Sequence, residues 1–190
     1  MQPYRKRMRR REVPGGDRFI TFSCQRRLPL LLRPGVAQSF VHALARVQSS
    51  YGLQLFAWVV MPEHIHVACE LPKDTTLESI LRRCKMSVSK RWLEHWKHAD
   101  PALLLELCDQ RGRPRFWQRG GGFDRNIRSN TELAGEIRYI HHNPVRRGLV
   151  ARPEDWRWSS ATWWMGRDDC PLPCTYPRPA SAWSQWSGFI

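Results

Sequence analysis

Four residues in this chain have side chains suited to metal-assisted nucleophilic chemistry, and they come in two pairs. His64 and His66 stand one residue apart in the apolar run AWVVMPEHIHVACE, residues 57–70. Side chains of a β-strand alternate between faces, so both imidazoles would emerge on one face and Ile65 on the other. Two imidazoles so placed can share one metal ion. The second pair is Tyr139 and Asn143, four residues apart. On a helix that spacing puts them on one face, one turn or about 6 Å along the axis. Asn143 offers a carbonyl oxygen, a hard donor suited to Mg²⁺ or Mn²⁺ beside imidazoles. Tyr139 offers a phenol, which can act as a covalent nucleophile beside a metal-polarised centre.

Each residue also has an ordinary explanation. An H-x-H in a strand need hold nothing, and Tyr139 alone could be an interior aromatic. Asn143 before Pro144 reads as a helix end. His141 and His142 fall on other helix faces from Tyr139, which suggests packing or phosphate contact. They could instead join His64 and His66 in a zinc hydrolase, an alternative that leaves the chain's charge and the Tyr–Asn spacing unexplained.

The elements that must position these pairs can be read in order. Residues 1–16 (MQPYRKRMRRREVPGG) form an arm, with Arg5, Lys6, Arg9 and Arg10 among its cations. Such runs are solvated and suited to phosphate contact. Residues 18–25 alternate and are rich in β-formers, so they predict a first strand. A helix opens after Pro34 and Gly35 and runs to about Ser50, with Val36, Phe40, Val41, Leu44 and Val47 at helical spacing. Residues 53–61 predict a second strand. Pro62 and Glu63 make a tight turn into a third, residues 64–71. A second helix spans about 77–96. Its Arg82, Arg83, Lys85, Lys90 and Arg91 make either a phosphate-facing side or a solvated face.

Residues 98–114 are the least regular. Residues 116–118 (FWQ) predict a fourth strand, followed by the free-turning Gly120, Gly121 and Gly122. Ser129 and Glu132 match a capping box, and a third helix should run to His142 or Asn143. Pro144 should end or bend it. The tryptophans at 156, 158, 163 and 164 should return to the sheet, and residues 166–190 form an irregular tail. This order predicts an α+β fold, a ferredoxin-like antiparallel sheet with helices packed on one face.

The charge narrows the partners. Thirty-one Lys and Arg against 17 Asp and Glu give +14 over 190 residues. That excess points to a polyanion, nucleic acid before a membrane surface. The cysteines, at positions 24, 69, 84, 108, 170 and 174, are mostly dispersed. Only Cys170 and Cys174 are a close pair, which a zinc knuckle or a disulfide could use, although the spacing has no second half elsewhere. No signal sequence or membrane span is visible, so a reduced, cytoplasmic protein is expected.

The ordered blocks resemble a known family. Residues 58–66 (WVVMPEHIH) look like the HUH motif (His, hydrophobic, His) of the REP-associated tyrosine transposases, a branch of the single-tyrosine transposases. Residues 116–119 (FWQR), 123–128 (FDRNIR), 139–150 (YIHHNPVRRGLV) and 156–160 (WRWSS) resemble its later blocks, in order. The likeness covers about residues 17–165. It implies a ferredoxin-like HUH nuclease domain acting on single-stranded DNA beside palindromic hairpins. It assigns His64, His66 and Asn143 to a divalent metal and makes Tyr139 the nucleophile that forms a 5′-phosphotyrosine. Relatives outside the branch commonly have glutamine at the third-ligand position. DNA contact would fall to the arm and to Arg125, Arg128, Arg138, Arg146 and Arg147. A non-cutting hairpin-binding protein is the alternative, and none of the four site residues looks degraded in that direction. Whether the protein is a monomer or a homodimer, and whose metal site Tyr139 serves, stays open at this level.

Overall fold

A computed structural model describes residues 15–120, 122–178 and 183. The arm cations Arg5, Lys6, Arg9 and Arg10 lie outside the described residues. The sheet has four antiparallel strands: β1 (Asp17–Ser23), β2 (Gln54–Val60), β3 (His64–Glu70) and β4 (Phe123–Asn126), in the order β2-β3-β1-β4. With α1 (Val36–Tyr51) between β1 and β2, and α2 (Leu77–Ala99) between β3 and β4, this is the expected ferredoxin-like connectivity.

The helices occupy both faces of the sheet, where one face was expected. Phe40 and Leu44 of α1, with Ile80 and Val88 of α2, are buried in one core with Ile20, Phe22, Ile65 and Val67. On the opposite face lies α4 (Asn130–Arg146), whose Leu133, Ile137 and Ile140 bury against Phe19, Val59 and Ala68. The reason lies in alternation: β2 is apolar on both faces, with Leu55, Trp58 and Val60 in one core and Phe56 and Val59 in the other, and each apolar face must be covered. The basic side of α2 therefore lies across the sheet from the histidines. Lys85 there sits over the Phe22 ring, 4.5 Å from its centroid, and Arg83 donates to the Tyr51 hydroxyl.

Local signals set the helix ends. Gly52 closes α1 in the left-handed conformation (φ 66°), which costs glycine little. The Thr76 hydroxyl accepts from Ser79 N at the start of α2, and the Ser129 hydroxyl accepts from Glu132 N at the start of α4.

Three sequence expectations are corrected. Residues 98–114 contain a short helix, α3 (Pro101–Glu106), capped by the Asp100 carboxylate accepting from Leu103 N, with Pro101 in the first turn. Residues 116–118 are not a strand. They make a single bridge, Cys24 to Trp117, and the fourth strand is β4. Phe116 and Trp117 both enter the α2-side core, where Phe116 stacks on Trp96 at 5.6 Å and Trp117 meets Phe22 at 5.0 Å. Adjacent residues of a strand would point to opposite faces. Finally, α4 does not end at Asn143 but runs through Pro144 to Arg146. Proline there removes only the bond to the Ile140 carbonyl, in the last turn, and its ring is buried.

The free edge of β2 is covered by the chain that follows α4. Val60 N donates to Trp158 O (2.8 Å), and Ser160 N donates to Trp58 O (3.0 Å). The Trp156 indole donates to Val60 O, and the indole of Trp164, the last residue of α5 (Ala161–Trp164), donates to Phe56 O. Residues 166–178 have no regular element but continue this cover, with Thr175 N donating to Leu55 O at 2.7 Å. All six cysteines are free. Among the described residues, no helix is long and apolar enough to cross a membrane.

Candidate active site

Alternation along β3 sends His64 and His66 to the α4 face. Their Nε2 atoms are 2.9 Å apart, with the ring planes nearly perpendicular. Phe19 of β1 stacks on His66 at 5.5 Å, and Thr21 pairs with it in register. The Tyr139 ring meets His66 edge-on at 5.3 Å and Phe19 at 5.9 Å. The histidine strand and the tyrosine helix thus come together within one chain. Tyr139 is 36% exposed, held on its inner side and open on its outer side. Arg146 lies over the same ring, 5.3 Å from its centroid. Asn143 lines the same cleft, and its amide nitrogen donates to Tyr139 O (2.9 Å), which leaves the amide oxygen as its remaining polar atom.

These groups floor a cleft of about 730 Å³. Its rim includes Gln118 and Arg119 on one side and Arg146 and Arg147 on the other. Gly122 shapes the lip: a Cβ there would lie 2.1 Å from Thr21 O, and its φ is +81°. Only a glycine lets the loop run this close to β1.

Electrostatics keep the histidines neutral. Burial lowers His66 to about 3, and the neighbouring His64 adds to this. Burial also lowers His64, although Glu63 opposes the effect. Burial alone would raise the Glu63 carboxyl, but the Arg147 hydrogen bond and the adjacent His64 outweigh it and hold it below its ordinary value. Two neutral imidazoles and an amide oxygen fit a divalent cation in donor chemistry. The Nε2 separation also matches the span of about 3 Å between adjacent ligands of an octahedral ion bound at about 2.1 Å. Among the described residues no cage of three His, Cys, Asp or Glu side chains exists, so a cation held here would need an amide oxygen or water beside the imidazoles.

The other expected site residues have varied fates. Arg147 lines the cleft but is engaged by Glu63 at 2.8 Å. Arg125 is held by the Glu132 and Glu136 carboxylates, which removes its charge from the surface field. Arg128 and Arg138 are exposed but outside the cleft. His141 is fully buried and shares a hydrogen bond with the Ser160 hydroxyl (2.9 Å), while His142 bonds Arg138 O; neither lines the cleft. Sequence reasoning missed Glu63, Arg27, Gln118 and Arg119. Glu63 was read only as a turn residue, although an acid directly before the first histidine is a signal. Arg27 reaches the cleft from a left-handed backbone (φ 54°), a strained conformation common at functional sites. Nothing in the local sequence announces it.

The fold and the site define a class. Residues 18–143 match the family described as Transposase IS200 like, and the chain belongs to that family of enzymes. Its relatives are more specific. It is 31% identical over 152 residues to the REP-associated tyrosine transposase of Escherichia coli K12, a match covering 80% of each chain. A relative from Haemophilus influenzae is 27% identical over 159 residues, covering 80% of this chain and 83% of its own. The fold superposes with a TM-score of 0.64 and 26% identity on a REP-associated tyrosine transposase solved bound to a REP hairpin, covering 95% of this chain and 93% of that one.

Proposed function

We propose that this transposase-family protein cuts and rejoins single-stranded DNA beside palindromic hairpins, with Tyr139 as nucleophile and His64, His66 and Asn143 as the divalent-metal site. The observation that carries the proposal is the edge-on approach of Tyr139 to His66 across the cleft, 5.3 Å between ring centres, beside the paired Nε2 atoms. A bound Mg²⁺ or Mn²⁺ would polarise a non-bridging phosphate oxygen and offset charge in the transition state.

The chain's own groups account for the rest. The Tyr139 oxygen attacks phosphorus and the P–O3′ bond breaks. The phenol gives up its proton as its oxygen bonds to phosphorus. The leaving 3′ oxygen gains a proton, and a 5′-phosphotyrosine remains. One phosphodiester replaces another, so a 3′-hydroxyl can reverse the step and rejoin strands. Arg119 and Arg146 at the rim suit the flanking phosphates, and the +14 charge suits the DNA as a whole. The hairpin carried by the solved relative supports the same class of partner.

The test is cleavage of a single-stranded hairpin taken from beside the protein's own gene. Wild type with Mn²⁺ should release a free 3′-hydroxyl end and leave a covalent adduct. Tyr139→Phe should do neither while still retaining the hairpin. Cleavage by the Phe variant, or adduct formation in excess chelator, overturns the mechanism.

A further inference from the structure

Glu63 sits at the tip of the β2–β3 turn, where any turn-forming residue would serve the backbone. Its side chain nonetheless points inward and is only 8% exposed. Three groups converge on one carboxylate oxygen: His64 Nδ1 at 3.0 Å, Arg147 Nη1 at 2.8 Å and Arg27 Nη2 at 3.5 Å. These come from the start of β3, the residue that closes α4, and the loop after β1. The backbone is anchored as well, with Cys24 N donating to Glu63 O at 2.8 Å.

A carboxylate can only accept, so His64 must carry its proton on Nδ1. That leaves His64 Nε2 as the ring's acceptor, on a side chain that lines the cleft. His66 is the opposite case, because its buried Nδ1 has no partner. In the metal-free chain, His66 then satisfies the 2.9 Å contact by donating from Nε2 to His64. One histidine is preset by a carboxylate and the other adapts. Carboxylate backing of this kind orients a ligating imidazole and raises its basicity. Through Arg147 the same carboxylate fastens the end of α4, and so the helix bearing Tyr139 and Asn143, to the strand bearing the histidines.

We infer that Glu63 is the positioning residue of this site, presetting the His64 tautomer for metal and holding the nucleophile helix in register with the histidine strand. The inference rests on the metal-site reading proposed above. Two measurements test it. Nitrogen-15 NMR of the metal-free wild type should show His64 as the Nδ1–H tautomer, and Glu63→Gln should shift that population toward Nε2–H. Titration calorimetry should show Mn²⁺ binding weakened about 10- to 100-fold in Glu63→Gln. An Nε2–H tautomer of His64 in the wild type overturns the inference whether or not any variant folds. So does a folded Glu63→Gln with Mn²⁺ affinity within twofold of wild type. If the wild type binds no Mn²⁺ at the histidines, the metal-site reading falls, and the tautomer measurement still decides the role of Glu63.

Discussion

Replacing His141 should flatten the acid side of the stability profile. His141 is fully buried on α4, touches Trp164 and Ser160, and has an Nδ1 without a partner. Burial, with the neighbouring His142, lowers it to about 3. An unfolded histidine titrates near about 6.5. Below that pH the unfolded chain takes up a proton that the folded chain refuses, so stability is full above about 6.5 and falls as pH drops toward 3. The slope is about 1.4 kcal/mol per pH unit, and the whole window is worth up to about 5 kcal/mol. His141→Gln cannot titrate but can keep a bond to Ser160. Urea unfolding at pH 7.5, 6.0 and 4.5 should show it modestly less stable than wild type at neutral pH. Between pH 6.0 and 4.5 it should lose about 2 kcal/mol less than wild type. His64 and His66 titrate alike in both proteins and cancel in the comparison. Parallel pH profiles would refute the argument and return His141 to an accessible role, such as the ligand of a hydrolytic zinc site.

Two further substitutions test the division of labour among the cations and the shape of the cleft. Arg146→Ala should lower the slope of log affinity against log salt for a single-stranded hairpin by about 0.7 to 0.9. Arg125→Ala should leave that slope alone and cost up to about 1 kcal/mol in urea unfolding, because Glu132 and Glu136 already neutralise Arg125 at a half-exposed site. Equal slopes for the two variants would contradict the assignment. Gly122→Ala should be more destabilising than Gly120→Ala, by about 1 to 3 kcal/mol, and should also weaken hairpin binding. Both glycines have positive φ, but a methyl at 122 meets Thr21 O at 2.1 Å while one at 120 meets nothing within 4 Å. Similar unfolding midpoints would show that the lip does not need its close approach to β1.

Periodicity and spacing made much of this molecule legible in one dimension. The alternation around His64 and His66 put both imidazoles on one face, and the four-residue step from Tyr139 to Asn143 put both on one helix side. The capping pair Ser129 and Glu132 set the start of that helix, and the net charge of +14 pointed to a polyanion. All of these depend on neighbours within a few residues, where backbone geometry alone dictates direction. What only the tertiary structure decided depends on burial and on pairs distant in the chain. Whether α4 would cross the histidine face was settled by the second apolar face of the sheet, which needed cover. Phe116 and Trp117 left strand geometry because the α2-side core took both rings. Pro144 stayed helical because its ring is buried and its missing bond falls in the last turn. Arg125 and Arg147 look like free cations in sequence, yet carboxylates 7 to 84 residues away occupy them. Glu63 looks like a turn residue and is the acceptor for His64, Arg147 and Arg27. Charge in a sequence is a sum, whereas in a fold each charge is paired or exposed according to what the chain brings beside it, and that pairing separates the cations left to the surface from those that hold the cleft together.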